Sequence, residues 1–410
     1  EIDVIDDGVM YLKDSRKSTY NGIINTPVVV NGGTLINGSA DGSSSAVDIY
    51  QLGVQRAESV EIYGGRCETL FIENASGIAL YGGSYGLIHG NENVTNTPVS
   101  NLLAKGYAFA TLNEVTNLPE KIVDGSTTMI GGTLENVVVL EHTHTYTETN
   151  TKCACGAVLY AKVTTADGTV EKFDNIEEGL LYANKAENKG CVFTVVTTGG
   201  LENDITLSSG QFTIAAIDDN YIDAYTRKIN IKGAEITVEN CAFNCFIALY
   251  SGSLTYPEGS TSVCINGINV YGGTLNISDG VSENCGANHF TISSTATDAK
   301  VTIGGGTFNE INLGQYTLKD VLASGTRLIS IEYSQDTDEI IATNELLYSE
   351  VSGLSTFGTD DDKDYRFVKC DHKNDDGSNA LDSGVCKYCN LTFAASVSYT
   401  TDDGEKTELF

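Results

Sequence analysis

The residues best equipped for chemistry lie in KCDHKNDDGSNALDSGVCKYCN, residues 369–390. The stretch holds Cys370-x-His372 and, after a thirteen-residue spacer, Cys386-x-x-Cys389. Three thiolates and one imidazole form a closed tetrahedral set for Zn²⁺, and the C-x-x-C half supplies the tight knuckle such sites use. The alternative is a Cys386–Cys389 or Cys370–Cys386 disulfide, or free thiols, in an oxidising surrounding. A second cluster, EHTHTYTETNTKCACGAVL, offers His142, His144, Cys153 and Cys155. Its C-x-C is a poorer chelate than C-x-x-C, but two His on alternate residues of an extended strand project to one side and both can reach one ion. The alternative there is an exposed polar connector with an incidental thiol pair. A catalytic zinc keeps a position open beside three protein ligands and needs a base nearby. Four candidate ligands leave none open, so each cluster reads as a structural staple, with no catalytic residue assigned.

The remaining ionisable candidates are weaker. His89 in GLIHGNENV and His289 in CGANHFTI sit beside turns and are expected to bond to backbone, with general-base duty the alternative. GTDDDKDYRF at 358 lacks the D-x-[DN]-x-[DN]-G spacing of a calcium loop and reads as a solvated acidic loop. Cys67, Cys191, Cys241, Cys245, Cys264 and Cys285 stand singly in apolar or turn contexts and read as buried free thiols.

The chain that must position these clusters has 410 residues and a formal charge of −31. That charge argues against nucleic acid and anionic membranes as partners, because a polyanion needs clustered Lys and Arg. It also argues against anionic polysaccharides unless a cation bridges them. No apolar run reaches the roughly twenty residues of a membrane span. The opening EIDVIDDGVMYLKDS has no leader and reads as the interior of a larger protein.

Glycine is abundant, 43 residues against 4 Pro and no Trp. It recurs in NGGTLING, YGGRCETLFI, YGGSYGLIHG, IGGTLENVVVL, YGGTLNISDG and IGGGTFNEINL, each time between short β-branched or aromatic runs. Strands of four or five residues and turns of two to four give roughly twenty residues per three-stranded coil, the cadence of a right-handed parallel β-helix. A β-sandwich is the alternative, with longer strands and wider turn spacing. The fold is therefore expected to be all-β, in two tandem solenoid units. Asn175-Ile176-Glu177-Glu178 fits a helix N-cap, with Ile176, Leu180 and Ala183 on one face and Gly190 as the stop. This predicts a cap helix over 175–189 that covers the open end of the second solenoid.

A longer repeat organises the whole. NLLAKGYAF at 101 matches DVLASGTRL at 320, so Gly106 corresponds to Gly325, and a Cys/His cluster follows each. After each cluster comes a similar strand pair, AKVTTADGTVEKF at 161 and ASVSYTTDDGEKTELF at 395. The expected boundaries are a first solenoid over 1–140, a knuckle over 141–160, a second solenoid over 161–350, a knuckle over 351–394 and the opening of a third unit over 395–410.

With the cap helix, the glycine-punctuated strands, the LLAKGYAF connector and the HTHTY…CACGAVL knuckle together, the chain resembles the large surface proteins of anaerobic Gram-positive gut bacteria. These are built from pectate-lyase-like β-helices separated by Cys/His knuckles. The resemblance implies an extracellular, wall-associated protein and supplies no catalytic residues. Two function classes stay open. One is a non-catalytic adhesin or scaffold that binds a host protein or glycan along a flat solenoid face. The other is a polysaccharide lyase or glycoside hydrolase on the same fold. A lyase needs clustered basic residues or an Asp-held Ca²⁺. A hydrolase needs two carboxylates about 5–10 Å apart across a groove.

Overall fold

The computed structural model describes residues 2–5, 8–12, 23–24, 26–43, 45–147, 150–282, 285–333, 340–358, 363–374, 377–393, 396–401 and 404–409. The acidic run Asp360–Asp362 lies outside these residues. The chain is mostly strand, wound as a right-handed β-solenoid of about 14 turns. It divides into two compact units, 1–158 and 159–410.

Glycine placement explains the winding. Gly65 sits at φ +81 in the YGG turn, and a Cβ there would collide with the Val47 carbonyl of the coil beneath. Gly273 at φ +79 would bring a Cβ to 2.9 Å from the Gly252 oxygen. Each coil can therefore turn its corner directly on the previous corner only where the side chain is a hydrogen atom. The step between coils is short: Asp48 accepts from the Arg66 backbone N–H across 18 residues, and Asn240 bonds Ala216 across 24.

In unit 1, parallel strands stack Val28 on Leu52, Leu70 and Ile88, and a second face stacks Leu35 on Val60 and Ile78. All are buried. The parallel ladder stops earlier than the sequence reading expected. Strand Leu134–Glu141 runs antiparallel to Ser84–Gly90, and Tyr107–Leu112 and Pro119–Ile122 continue antiparallel beyond it. An antiparallel hairpin layer covers a solenoid end that would otherwise expose unpaired N–H and C=O groups.

Unit 2 has three inward columns. Cys191, Phe212, Ile236, Leu254, Leu275 and Val301 form one, and Ile205, Ile229, Ile247, Ile268, Phe290 and Ile311 another. Ile222, Phe243, Cys264, Ala287 and Phe308 form the third. Every member is buried, and each large one contributes about 1.5–3 kcal/mol of transfer free energy. The far end is closed by Thr326–Tyr333 and Lys363–Lys369, both antiparallel.

The near end of unit 2 carries the predicted cap. The Asn175 side chain accepts from the Glu178 N–H, and Ile176, Leu180 and Ala183 are buried in the core. The helix spans Ile176–Ala183, shorter than the expected 175–189. Lys185 is already extended, and a separate 3₁₀ turn covers Ala186–Asn188. The cause is the Asn184 amide, whose oxygen accepts from the backbone N–H groups of Ser208, Ser209 and Gly210 and ties the helix end to the next coil. The hairpin Ala161–Thr164 with Val170–Phe173 pairs antiparallel with Cys191–Val195 beside it. Strands Ser396–Thr401 and Gly404–Leu409 form a similar antiparallel hairpin.

Candidate metal centres

Both clusters hang from the same fold position. Strand Leu134–Glu141 ends where the His142 N–H donates to the Gly106 carbonyl at 2.8 Å. Strand Lys363–Lys369 ends where the Cys370 N–H donates to the Gly325 carbonyl at 2.8 Å. The two glycines matched in the sequence repeat have φ +81 and +78. His142 and Cys370 are thus equivalent first candidate donors, delivered by equivalent antiparallel strands.

At the second cluster, His372 takes φ +59, a left-handed conformation that turns its ring back toward Cys370. Beyond it the Gly377 N–H donates to the Asn374 carbonyl and the Ala380 N–H to the His372 carbonyl. Leu381–Asp382 pairs with Val385–Cys386, and Asn390 at φ +58 closes the C-x-x-C turn with its N–H on the Cys386 carbonyl. Cys370, Cys386 and Cys389 are buried with Ala380 and Tyr388 in a small core of their own.

The donor atoms of Cys370, His372, Cys386 and Cys389 all lie within 4.8 Å of one another. Sγ of Cys370 is 3.6 Å from Sγ of Cys386, and Sγ of Cys389 is 3.5 Å from Nδ1 of His372. Zn–S near 2.3 Å and Zn–N near 2.0–2.1 Å at tetrahedral angles require about 3.8 Å and 3.6 Å for these separations. A disulfide would require about 2.05 Å. The four side chains could hold one tetrahedral ion without rearrangement. Burial and the neighbouring thiols push Cys370 up to about 12. Burial acts against Cys386 too, but hydrogen bonds from His372 and the Cys389 and Tyr388 backbone bring it down to about 7.

At the first cluster, His142, Cys153 and Cys155 meet the same 4.8 Å limit. Nε2 of His142 is 3.1 Å from Sγ of Cys153. The two cysteines are held by a turn in which the Gly156 N–H donates to Cys153 and the Cys153 N–H to Ala157. The Gly125 N–H donates to the Cys155 carbonyl, and the Lys152 ammonium lies 2.8 Å from Asp124. Burial raises both thiols, but Cys153 is pulled down to about 6 by the Cys155 backbone and the His142 ring, while Cys155 stays at about 11. His144 is outside this donor group. Its ring is on the expected side, 5.5 Å from that of His142, but Nδ1 is engaged by the Tyr146 hydroxyl at 3.1 Å. Tyr146 itself packs on Cys153 and Cys155. The sequence offered no sign of this hydroxyl as a competitor for His144.

The other candidates resolve simply. His89 packs against Phe71, ring centroids 5.0 Å apart. Nδ1 of His289 pairs with the Glu310 carboxylate at 3.0 Å, where backbone was expected. The six single cysteines are buried and free.

Unit 2 also carries a groove that no motif announced. It encloses about 580 Å³ and is lined by Lys189, Gln211, Thr213, Glu235, Thr237, Ser253 and Thr255 with backbone between them. These are the outward residues of successive coils, Gln211 over Glu235 over Ser253 and Thr213 over Thr237 over Thr255. Among the described residues no helix is long and apolar enough to cross a membrane. Neither a protein-family model, a curated protein nor a solved structure matches this chain.

Proposed function

We propose that the chain is a non-catalytic bacterial cell-surface module, extracellular and wall-associated, that binds a host glycan or protein on the outer face of its second solenoid. The second Cys/His knuckle serves as a structural zinc centre that ties off its solenoid end, and the first holds a metal ion at the corresponding place in unit 1. The observation that carries the binding reading is the groove over Gln211, Glu235 and Ser253. Its hydroxyl, amide and carboxylate groups stand in register at the strand spacing, about 4.8 Å, and offer repeated hydrogen-bond partners to an extended polar ligand. Glu235 is the one carboxylate among its lining residues, whereas glycoside hydrolysis uses two facing each other.

The zinc reading rests on the separations of 3.6 Å and 3.5 Å within the second cluster, which match a tetrahedral S₃N shell. The test of the binding reading is a glycan and host-protein array on the intact chain, repeated with Thr237→Lys. Binding lost in the variant supports the groove as the site. Turnover of the bound glycan to new reducing ends or unsaturated products contradicts the non-catalytic reading, and binding unaffected by Thr237→Lys moves the site elsewhere.

A further inference from the structure

The two clusters begin at the same place, yet their second histidines diverge. His372 is two residues after Cys370 and reaches the donor group because its backbone is left-handed, φ +59. His144 is two residues after His142 on an extended run where exposure alternates, with His142, His144 and Tyr146 all half-buried on one side. In that run the rings follow one another in a column, 5.5 Å and then 6.0 Å between centroids. Each ring then meets its neighbour in the column: the Tyr146 hydroxyl engages Nδ1 of His144, while Nε2 of His142 reaches Cys153. The shorter C-x-C loop adds to the difference: it brings two sulfurs together but spans less of a coordination sphere than C-x-x-C.

We propose that the first cluster binds its ion through His142, Cys153 and Cys155 alone and leaves the fourth corner to an exchangeable small anionic donor. The chain would then carry one closed metal centre and one open one. Charge favours this division. A divalent ion with three thiolates and an imidazole is a monoanion, and it has no corner left. The same ion with two thiolates and an imidazole is neutral, so an anion adds without repulsion from the ligand shell. The corner is a binding position for such an anion. Small thiolates and pseudohalides are the ligand class that this soft, neutral shell selects. The inference rests on metal binding at the first cluster and is independent of what the solenoid groove takes up.

The test uses the full chain with Cys386→Ser and Cys389→Ser together, so that the second centre no longer competes, prepared metal-free under reduction and loaded with Co²⁺. Azide is the probe. The expected result is one equivalent of cobalt, lost on adding Cys153→Ser, whose visible bands shift saturably with azide. Adding His144→Ala should change cobalt affinity less than threefold and leave the azide response intact. Spectra that ignore azide, or an affinity loss of tenfold or more with His144→Ala, would overturn the proposal, because a protein ligand would then fill the corner. Cobalt binding that Cys153→Ser does not abolish would overturn it too. Should that double variant perturb folding by circular dichroism, Cys370→Ser with His372→Ala supplies a second background, and absence of cobalt in both counts against the proposal.

Discussion

Acidification should strip the second centre of its metal with a steepness set by its thiols. In the metal-free protein Cys370, raised by burial to about 12, and Cys389, also raised by burial, hold their protons at neutral pH. Cys386, brought down to about 7, is half protonated there. An ion that takes three thiolates must therefore displace about 2.5 protons at pH 7 and about 2.9 at pH 6. The sign follows directly: protons compete with the metal, so affinity falls as pH falls. Over pH 7.5 to 6.0 the two raised thiols alone give a loss of at least about 10³-fold, or about 4 kcal/mol. The assay is equilibrium competition with a zinc-binding dye on reduced protein carrying Cys153→Ser and Cys155→Ser, read at several pH values. A slope of less than two protons per metal would refute the reasoning, since it would mean that fewer than two of the three thiols are protonated sites emptied by the ion.

Further expectations concern the scaffold. Asn175→Ala removes the acceptor for the Glu178 N–H and should destabilise unit 2 by about 1 kcal/mol in urea titration, with Asn175→Ser within a few tenths of the parent. Leu249→Ala opens a cavity at a fully buried position and should cost about 3 kcal/mol, whereas Val192→Ala, 36% exposed beside the same core, should stay within about 0.5 kcal/mol.

What the sequence made legible was what neighbours in sequence decide. The Asn175 cap and the buried face of Ile176, Leu180 and Ala183 follow from side chains within two helical turns, and both are present. The end of that helix was misplaced because Asn184 is captured by Ser208–Gly210, a contact that only the stacked coil creates. Glycine turns announced the coils, since Gly65 must accept a carbonyl of the coil below at close range. The direction of Tyr107–Leu112 could not be read, because a short apolar run looks alike in parallel and antiparallel ladders and its partner Leu134–Glu141 is distant in sequence. Cys370, His372, Cys386 and Cys389 were legible from spacing. The separation of His144 from its neighbours was not, since it turns on one backbone angle at the equivalent His372 and on a tyrosine hydroxyl two residues away. The groove residues were hidden for another reason: Thr, Ser and Gln at outward positions carry no motif until register aligns them.

The central claim is that Cys370, His372, Cys386 and Cys389 form a filled structural zinc site that holds the end of unit 2. Metal analysis with X-ray absorption on the reduced chain carrying Cys153→Ser and Cys155→Ser tests it most directly. The account predicts one zinc per chain with three sulfurs near 2.3 Å and one nitrogen near 2.0 Å. Cys386→Ser with Cys389→Ser should abolish that zinc and open residues 370–389 to protease while the β-rich circular dichroism is unchanged. A chain without zinc, or a Cys370–Cys386 sulfur pair at bonding distance, would contradict it.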